Sequence, residues 1–336
     1  MNVTTAFRVR DPSEVAEPRR VAGRLADSLG FSETRAGQVS LVASELATNL
    51  AKHARDGELL VRPLDEGDGT PAGIEILSID SGPGIADVAA SRREGHSTTG
   101  TLGHGLSVIE RQSDFSDIYT LPSGTVTVSR IWREAPQLPR PDSRVALGAI
   151  QACKPGEDVC GDAWTWRLRA QRMVLMIADG LGHGVQAHDA AVAAVDVFTR
   201  GHEFPPVRIV EDAHAALRAT RGAALAVLSV DFDYRTVRYC GVGNISTTIV
   251  QSTKRQSLVS MSGTAGYSTH RLQEFQYPLP SDSVIVMHSD GLGTHWDLGA
   301  YPGLLMRDPS IIAGVLYRDF SRRRDDVTVV VAKPRG

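Results

Sequence analysis

Apolar and polar residues recur with a helical period over Val15–Leu29, and again from just after Ser32 to about Arg55. Val42, Leu46 and Leu50 fall four apart and form one apolar stripe. Extended patterns follow at Leu59–Pro63 and Gly73–Asp80, and a third helix is expected near Gly105. Phe115–Leu121 and Thr125–Trp132 read as two strands meeting at a Pro-Ser-Gly turn. The pattern then breaks. Glu134 to Ser143 holds prolines at 136, 139 and 141, which neither a helix nor a central strand accommodates. Beyond the break the chain is richer in strands: Val145–Ala152, Ala163–Ala170, Arg172–Ala178, Ala223–Phe232, Thr236–Gly241, Ser246–Val250, Gln256–Met261, Ser283–His288 and the terminal Val327–Val331. Helical stretches over Val185–Arg200 and Pro206–Thr220 lie among them, which fits two sheets flanked by helices. The expected organisation is a domain over 1–133, a linker over 134–143 and a domain over 144–336.

Composition narrows the function. The chain has 336 residues, enough for two domains, and 42% of them are hydrophobic. Its 36 basic and 39 acidic residues leave a net charge of -3, so neither nucleic acid nor an anionic membrane is expected as the main partner. No apolar run approaches a membrane span, and Met1–Val15 lacks an apolar signal core, so a cytoplasmic protein is expected. Cys153, Cys160 and Cys240 form no CxxC pair and read as ordinary reduced thiols.

In the first domain, Glu45, Asn49 and His53 stack on one face of the second helix. A glutamate and an asparagine one turn apart can hold a water and a Mg²⁺; by spacing alone a solvated helix edge is the better reading. Asp80 ends a strand and opens Ser81-Gly82-Pro83-Gly84, a tight turn that lets a flat ring approach the backbone. Small residues from Gly100 through Gly103 and Gly105 precede a helix, where exposed N–H groups suit phosphates. This order resembles the GHKL ATPases, and most closely the small bacterial serine kinases of the RsbT and RsbW type, through SELATNLAKHA, DSGPGIAD and GHSTTGTLGHGLSVI. The resemblance implies an ATP-binding α/β sandwich using ATP with Mg²⁺. Glu45 would be the general base for a substrate hydroxyl, Asn49 a Mg²⁺ ligand and Asp80 the adenine contact, with Gly82, Gly84, Gly103 and Gly105 shaping the pocket. His104 and Ser107 stand where that branch more often has leucine and proline.

In the second domain, Asp162, Asp179, Asp290 and the pair Asp325-Asp326 each border a strand. Any one of them has an ordinary reading as a turn or cap. Converging carboxylates repel unless cations neutralise them, and all-oxygen ligands select Mg²⁺ or Mn²⁺ over Zn²⁺. VCGDAW, IADGLGHG, GVGNIS, HSDGL and RRDDVTVVVA resemble, in content and order, the SpoIIE-type branch of the PPM phosphatases, RsbX-like members above all. The resemblance implies an αββα sandwich with two Mn²⁺ or Mg²⁺ ions between its sheets, and hydrolysis of phosphoserine or phosphothreonine without a phosphoenzyme. Asp179 would bridge both ions with the Gly180 carbonyl, and Asp162, Asp290 and Asp325 would complete the shell. Asp326 would instead orient the final strand. His183 fits either a proton-transfer role or a helix start; His288, Trp164, Trp166 and Trp296 are read as structural.

Together these readings give an α+β two-domain protein, a bifunctional kinase-like and phosphatase switch. Expected partners are STAS-domain antagonists of a stressosome or partner-switching pathway, with a sigma factor or other regulator as a further partner. The alternative is a phosphatase gated by an ATP-sensing or anti-sigma-like module without kinase turnover.

Overall fold

The computed structural model describes residues 4–88, 105–136, 144–201, 205–269 and 271–335. The chain divides into two compact units, one of residues 2–65 and 70–141, the other of residues 66–69 and 142–336 with Met1.

The first unit is one antiparallel sheet covered by helices. Its strands are β1 (Thr5–Arg8), β2 (Glu58–Asp65), β3 (Pro71–Ile79), β4 (Phe115–Leu121) and β5 (Gly124–Trp132), in the order β1-β2-β3-β5-β4. The helices are α1 (Ala16–Ser28), α2 (Glu33–His53) and α3 (Gly105–Gln112). Helix α2 starts where Ser32 caps it, its hydroxyl accepting from the Arg35 N–H. The stripe Val42, Leu46 and Leu50 is buried, together with Val39, Ala43 and Ala47. It packs on Leu59, Val61, Ile74 and Ile76, alternate residues of β2 and β3 that share one sheet face. Strand β1 was not anticipated; it pairs with β2 at the sheet edge, where four mostly exposed residues give too short a pattern to detect.

The second unit stacks two five-stranded sheets. One has the order β15-β10-β9-β8-β7 and the other β12-β11-β16-β17-β6. The strands are β6 (Val145–Ala152), β7 (Asp162–Arg169), β8 (Arg172–Gly180), β9 (Ala223–Asp231), β10 (Thr236–Val242), β11 (Ser246–Val250), β12 (Arg255–Ser257), β15 (Phe275–Pro278), β16 (Val284–His288) and β17 (Val327–Pro334). The short β13 (Gly263–Thr264) and β14 (Ser268–Thr269) pair with each other. Strand β8 explains the layering. Met173, Leu175 and Ile177 enter the core between the sheets with Trp164, Trp166, Leu228, Ile285 and Val330. Met176 and Ala178 face outward onto α4 (Val185–Arg200) and α5 (Pro206–Ala216). A strand buried on both faces therefore reads as a continuous apolar run. Helix α6 (Pro309–Phe320) packs on β6 and β17 and closes the outer side of the other sheet.

Three expectations need correction. Helix α6 was missed, although Asp308 caps it and Pro309 opens it. Residues Pro309–Arg318 are all buried, so the segment lacks the polar stripe that reveals a surface helix. The strand expected over Gln256–Met261 pairs only at Arg255–Ser257, with Met261 making an isolated bridge to Val242. The last turn of the Pro206–Thr220 helix is a 3₁₀ segment, Leu217–Ala219. Among the described residues no helix is long and apolar enough to cross a membrane.

Candidate functional site

Toward their shared end, β7 runs one residue and β8 two residues further than their apolar runs suggest. Asp162 therefore lies inside β7, directly opposite Asp179 of β8. Gly180 follows in the strand because a Cβ there would overlap the Ala187 carbonyl of α4. From the other sheet, Asp290 follows β16 and Asp325 precedes β17, while β16 and β17 are themselves paired. Gly291 plays the part of Gly180 on this side, since a Cβ there would overlap the Asp326 carbonyl. The ends of four strands from two sheets thus bring Asp162, Asp179, Asp290 and Asp325 to one place.

Their mutual repulsion is visible in proton affinity. Burial pushes the Asp179 carboxyl up to about 9, reinforced by the charges of Asp162, Asp290, Asp325 and Asp326. Burial likewise raises Asp162 to about 7, against the opposing hydrogen bond from Ser289. Asp290 is raised by burial and by the charge of Asp325. Asp162 is 1% exposed, and its Oδ1 has no hydrogen-bond partner among the described residues. A buried carboxylate oxygen left unpaired among like charges is costly, and divalent cations with oxygen ligands satisfy both deficits. The chemistry of the donor set, carboxylate oxygen throughout, fits Mg²⁺ or Mn²⁺.

Two supporting side chains escaped the sequence reading. The Ser289 hydroxyl donates to Asp162 Oδ2 at 2.6 Å and accepts the Thr328 N–H at 2.9 Å, so it ties β7 to β17. Asn244, in the turn between β10 and β11, donates from Nδ2 to Asp290 Oδ2 at 2.8 Å. Asn244 stands in GVGNIS, where an amide in a glycine-rich turn was the available signal. Ser289, beside an aspartate, offered none. His183 Nδ1 lies 2.6 Å from Glu157 Oε1, linking the turn before α4 to the loop after β6. His288 is structural: its Nδ1–H donates to the Ser289 carbonyl and its Nε2 accepts from Trp296 Nε1. Burial lowers it to about 4, which keeps the ring neutral. Asp326 accepts the Lys154 N–H at 2.8 Å, anchoring the start of β17 to the β6–β7 loop.

In the first unit, α2 presents Glu45 and Asn49 beside the start of α3. A Cβ at Gly105 would lie 3.1 Å from Asn49 Oδ1 and 3.4 Å from Glu45 Oε2, so a larger residue there would crowd both side chains. Asp80 follows β3, exchanges backbone bonds with Thr125, and accepts the Gly82 N–H at 2.7 Å. Gly84 has φ +75°, and a Cβ there would overlap the Leu121 carbonyl. Gly103 lies outside the described residues, as does His104.

Comparison with known proteins finds a separate family match for each part of the chain. Residues 9–131 match the family described as histidine kinase-like ATPase domain, and residues 169–335 the family described as Stage II sporulation protein E (SpoIIE). The serine/threonine-protein kinase RsbT of Bacillus subtilis is 30% identical over 114 residues, 34% of this chain and 84% of RsbT. The phosphoserine phosphatase RsbX of the same organism is 26% identical over 188 residues, 54% of this chain and 92% of RsbX. A crystal structure of RsbX in complex with magnesium superposes with a TM-score of 0.53 at 22% identity, covering 58% of this chain and 97% of that one.

Proposed function

Because the chain belongs to the RsbT-type ATPases in its first unit and carries a SpoIIE-type, metal-dependent protein-serine/threonine phosphatase domain in its second, we propose that it is a two-activity signalling switch acting on phosphoserine or phosphothreonine of a STAS-domain antagonist. The phosphatase reading is carried by one observation: four aspartates distant in sequence converge, and burial and mutual charge hold three of them at elevated proton affinity.

Asp162, Asp179, Asp290 and Asp325, with the Gly180 carbonyl, would hold the Mg²⁺ or Mn²⁺ ions. When bound, such ions activate a water and polarise a phosphoryl oxygen. The protein's own contribution is orientation. Ser289 fixes the Asp162 carboxylate and Asn244 that of Asp290, so neither must reorganise as phosphate enters. Near neutral pH the metal-free Asp179 keeps its proton, so cation binding is proton-releasing. Phosphate release from a phosphoprotein with Mn²⁺ tests this assignment. Asp179→Ala should abolish it, and activity surviving both that change and chelation would overturn it.

In the first unit Glu45 is assigned as general base, Asn49 as Mg²⁺ ligand and Asp80 as adenine contact. The support is that Glu45 and Asn49 converge on Gly105 while Asp80 shapes the Gly82 turn. ATP with Mg²⁺ would then drive phosphorylation of the same antagonist that the phosphatase resets. Phosphotransfer to candidate STAS-domain proteins tests the kinase half. Tight ATP binding without transfer, together with an ATP-dependent phosphatase rate, would favour the gating module instead.

A further inference from the structure

Two of the three cysteines, read from the sequence as unrelated thiols, come together beside the acidic cluster. Cys153 follows β6 and Cys160 precedes β7, so the two ends of one loop meet. The Sγ atoms of Cys153 and Cys160 and a carboxylate oxygen of Asp326 all lie within 4.8 Å of one another. Cys160 and Asp326 are 7% and 3% exposed, and Cys153 is half-buried. Among the described residues Asp326 spends only one oxygen on protein: Oδ1 accepts the Lys154 N–H, while Oδ2 is buried with no partner. Gly161 leaves the space for it, since a Cβ there would lie 2.7 Å from Oδ2. Burying an unpaired carboxylate oxygen beside two sulfurs is costly in an ordinary thiol pocket. A cation removes the cost.

We propose that Cys153, Cys160 and Asp326 form a second metal site, distinct in chemistry from the oxygen cluster and selective for a thiophilic divalent cation of the Zn²⁺ class. Thiolates favour Zn²⁺ over Mg²⁺ or Mn²⁺, and three protein ligands leave a fourth position for water. Binding displaces one proton from each thiol to solvent, and the weak Cys160 S–H contact to the Ala152 carbonyl, 3.7 Å long, is given up. The half-buried Cys153 provides the way in. Cys240, buried against α4 and α5, is a built-in control.

The test titrates the full-length protein with Cd²⁺ and with Co²⁺ in excess Mg²⁺, which occupies the oxygen ligands. One equivalent should produce a thiolate-to-metal charge-transfer band in the ultraviolet. The band should be lost in Cys153→Ser and in Cys160→Ser, weakened in Asp326→Asn and retained in Cys240→Ser. Independently of any variant's folding, one equivalent of Zn²⁺ should protect Cys153 of the wild-type chain from alkylation. Absence of a stoichiometric band, its survival in both cysteine variants, or alkylation unaffected by Zn²⁺ would each overturn the proposal. None of these readouts depends on phosphatase turnover.

Discussion

Replacing Ser289 by alanine removes a single oxygen from a fully buried position and leaves every proposed metal ligand in place. Two bonds go with it: the 2.6 Å donation to Asp162 Oδ2 and the 2.9 Å acceptance from the Thr328 N–H. A hydrogen bond to a charged group contributes about 1.5–3 kcal/mol. At about 1.4 kcal/mol per factor of ten, that matches the roughly 10–100-fold loss of metal affinity seen when a ligand's supporting partner is removed. The half-activating Mn²⁺ concentration should therefore rise by one to two powers of ten, and turnover at saturating Mn²⁺ should recover. The defect has a pH signature. Ser289 favours the ionised form of Asp162, whose proton affinity burial already raises to about 7. Without it the proton competes harder with metal, so the deficit should be larger at about pH 6.5 than at about pH 9. Phosphate release from a phosphoserine protein, titrated with Mn²⁺ at both pH values, reads this directly. An unchanged half-activating concentration, or a turnover defect that saturating Mn²⁺ does not repair, would refute the role given to Ser289.

Gly180→Ala forces a Cβ onto the Ala187 carbonyl; overpacking of this kind costs about 1–3 kcal/mol, so thermal denaturation should show a lower Tm alongside loss of Mn²⁺-dependent activity. In metal-free protein the raised carboxyls, Asp162 at about 7 and Asp179 at about 9 against an ordinary 3.8, stabilise the fold fully below the ordinary value. That contribution is lost as pH rises through about 7 and about 9. The metal-free Tm should accordingly fall between neutral pH and about pH 9.5, and excess Mg²⁺ should flatten the trend; a metal-free Tm that rises over this window would contradict the carboxylate assignment. In the first unit, Glu45→Gln should keep nucleotide binding and lose phosphotransfer, whereas Asp80→Ala should lose binding itself, as measured with a fluorescent ATP analogue.

What the sequence reveals about this protein depends on whether an interaction is local in the chain. The strand-bordering aspartates were legible because each ends an apolar run, and an acid at such a boundary is conspicuous whatever surrounds it. Asp162 and Asp179 illustrate the limit of that reading. Each was placed beyond its strand, yet cross-strand register sets them opposite one another inside the sheet, and register is a property of the pair. Ser289 and Asn244 act on carboxylates 127 and 46 positions away; the glycine-rich turn around Asn244 marks a special site but not its partner, and nothing beside Ser289 marks it at all. Helix α6 inverts the rule. Its cap and its first-turn proline are local signals and were present, but burial on every side removed the periodicity that would have made them meaningful. The cysteines complete the argument. Counted along the chain they are two thiols seven residues apart, outside any motif. Once β6 and β7 are held in facing sheets, the loop between them closes on Asp326 from the start of β17, and the donor set exists only because three strand ends converge. The same convergence gathers the aspartates. A sandwich whose strand ends meet at one rim concentrates polar side chains that no linear spacing predicts, and the identity of the ligand atoms at each point, oxygen alone or oxygen with sulfur, then decides which cation each part of the rim selects.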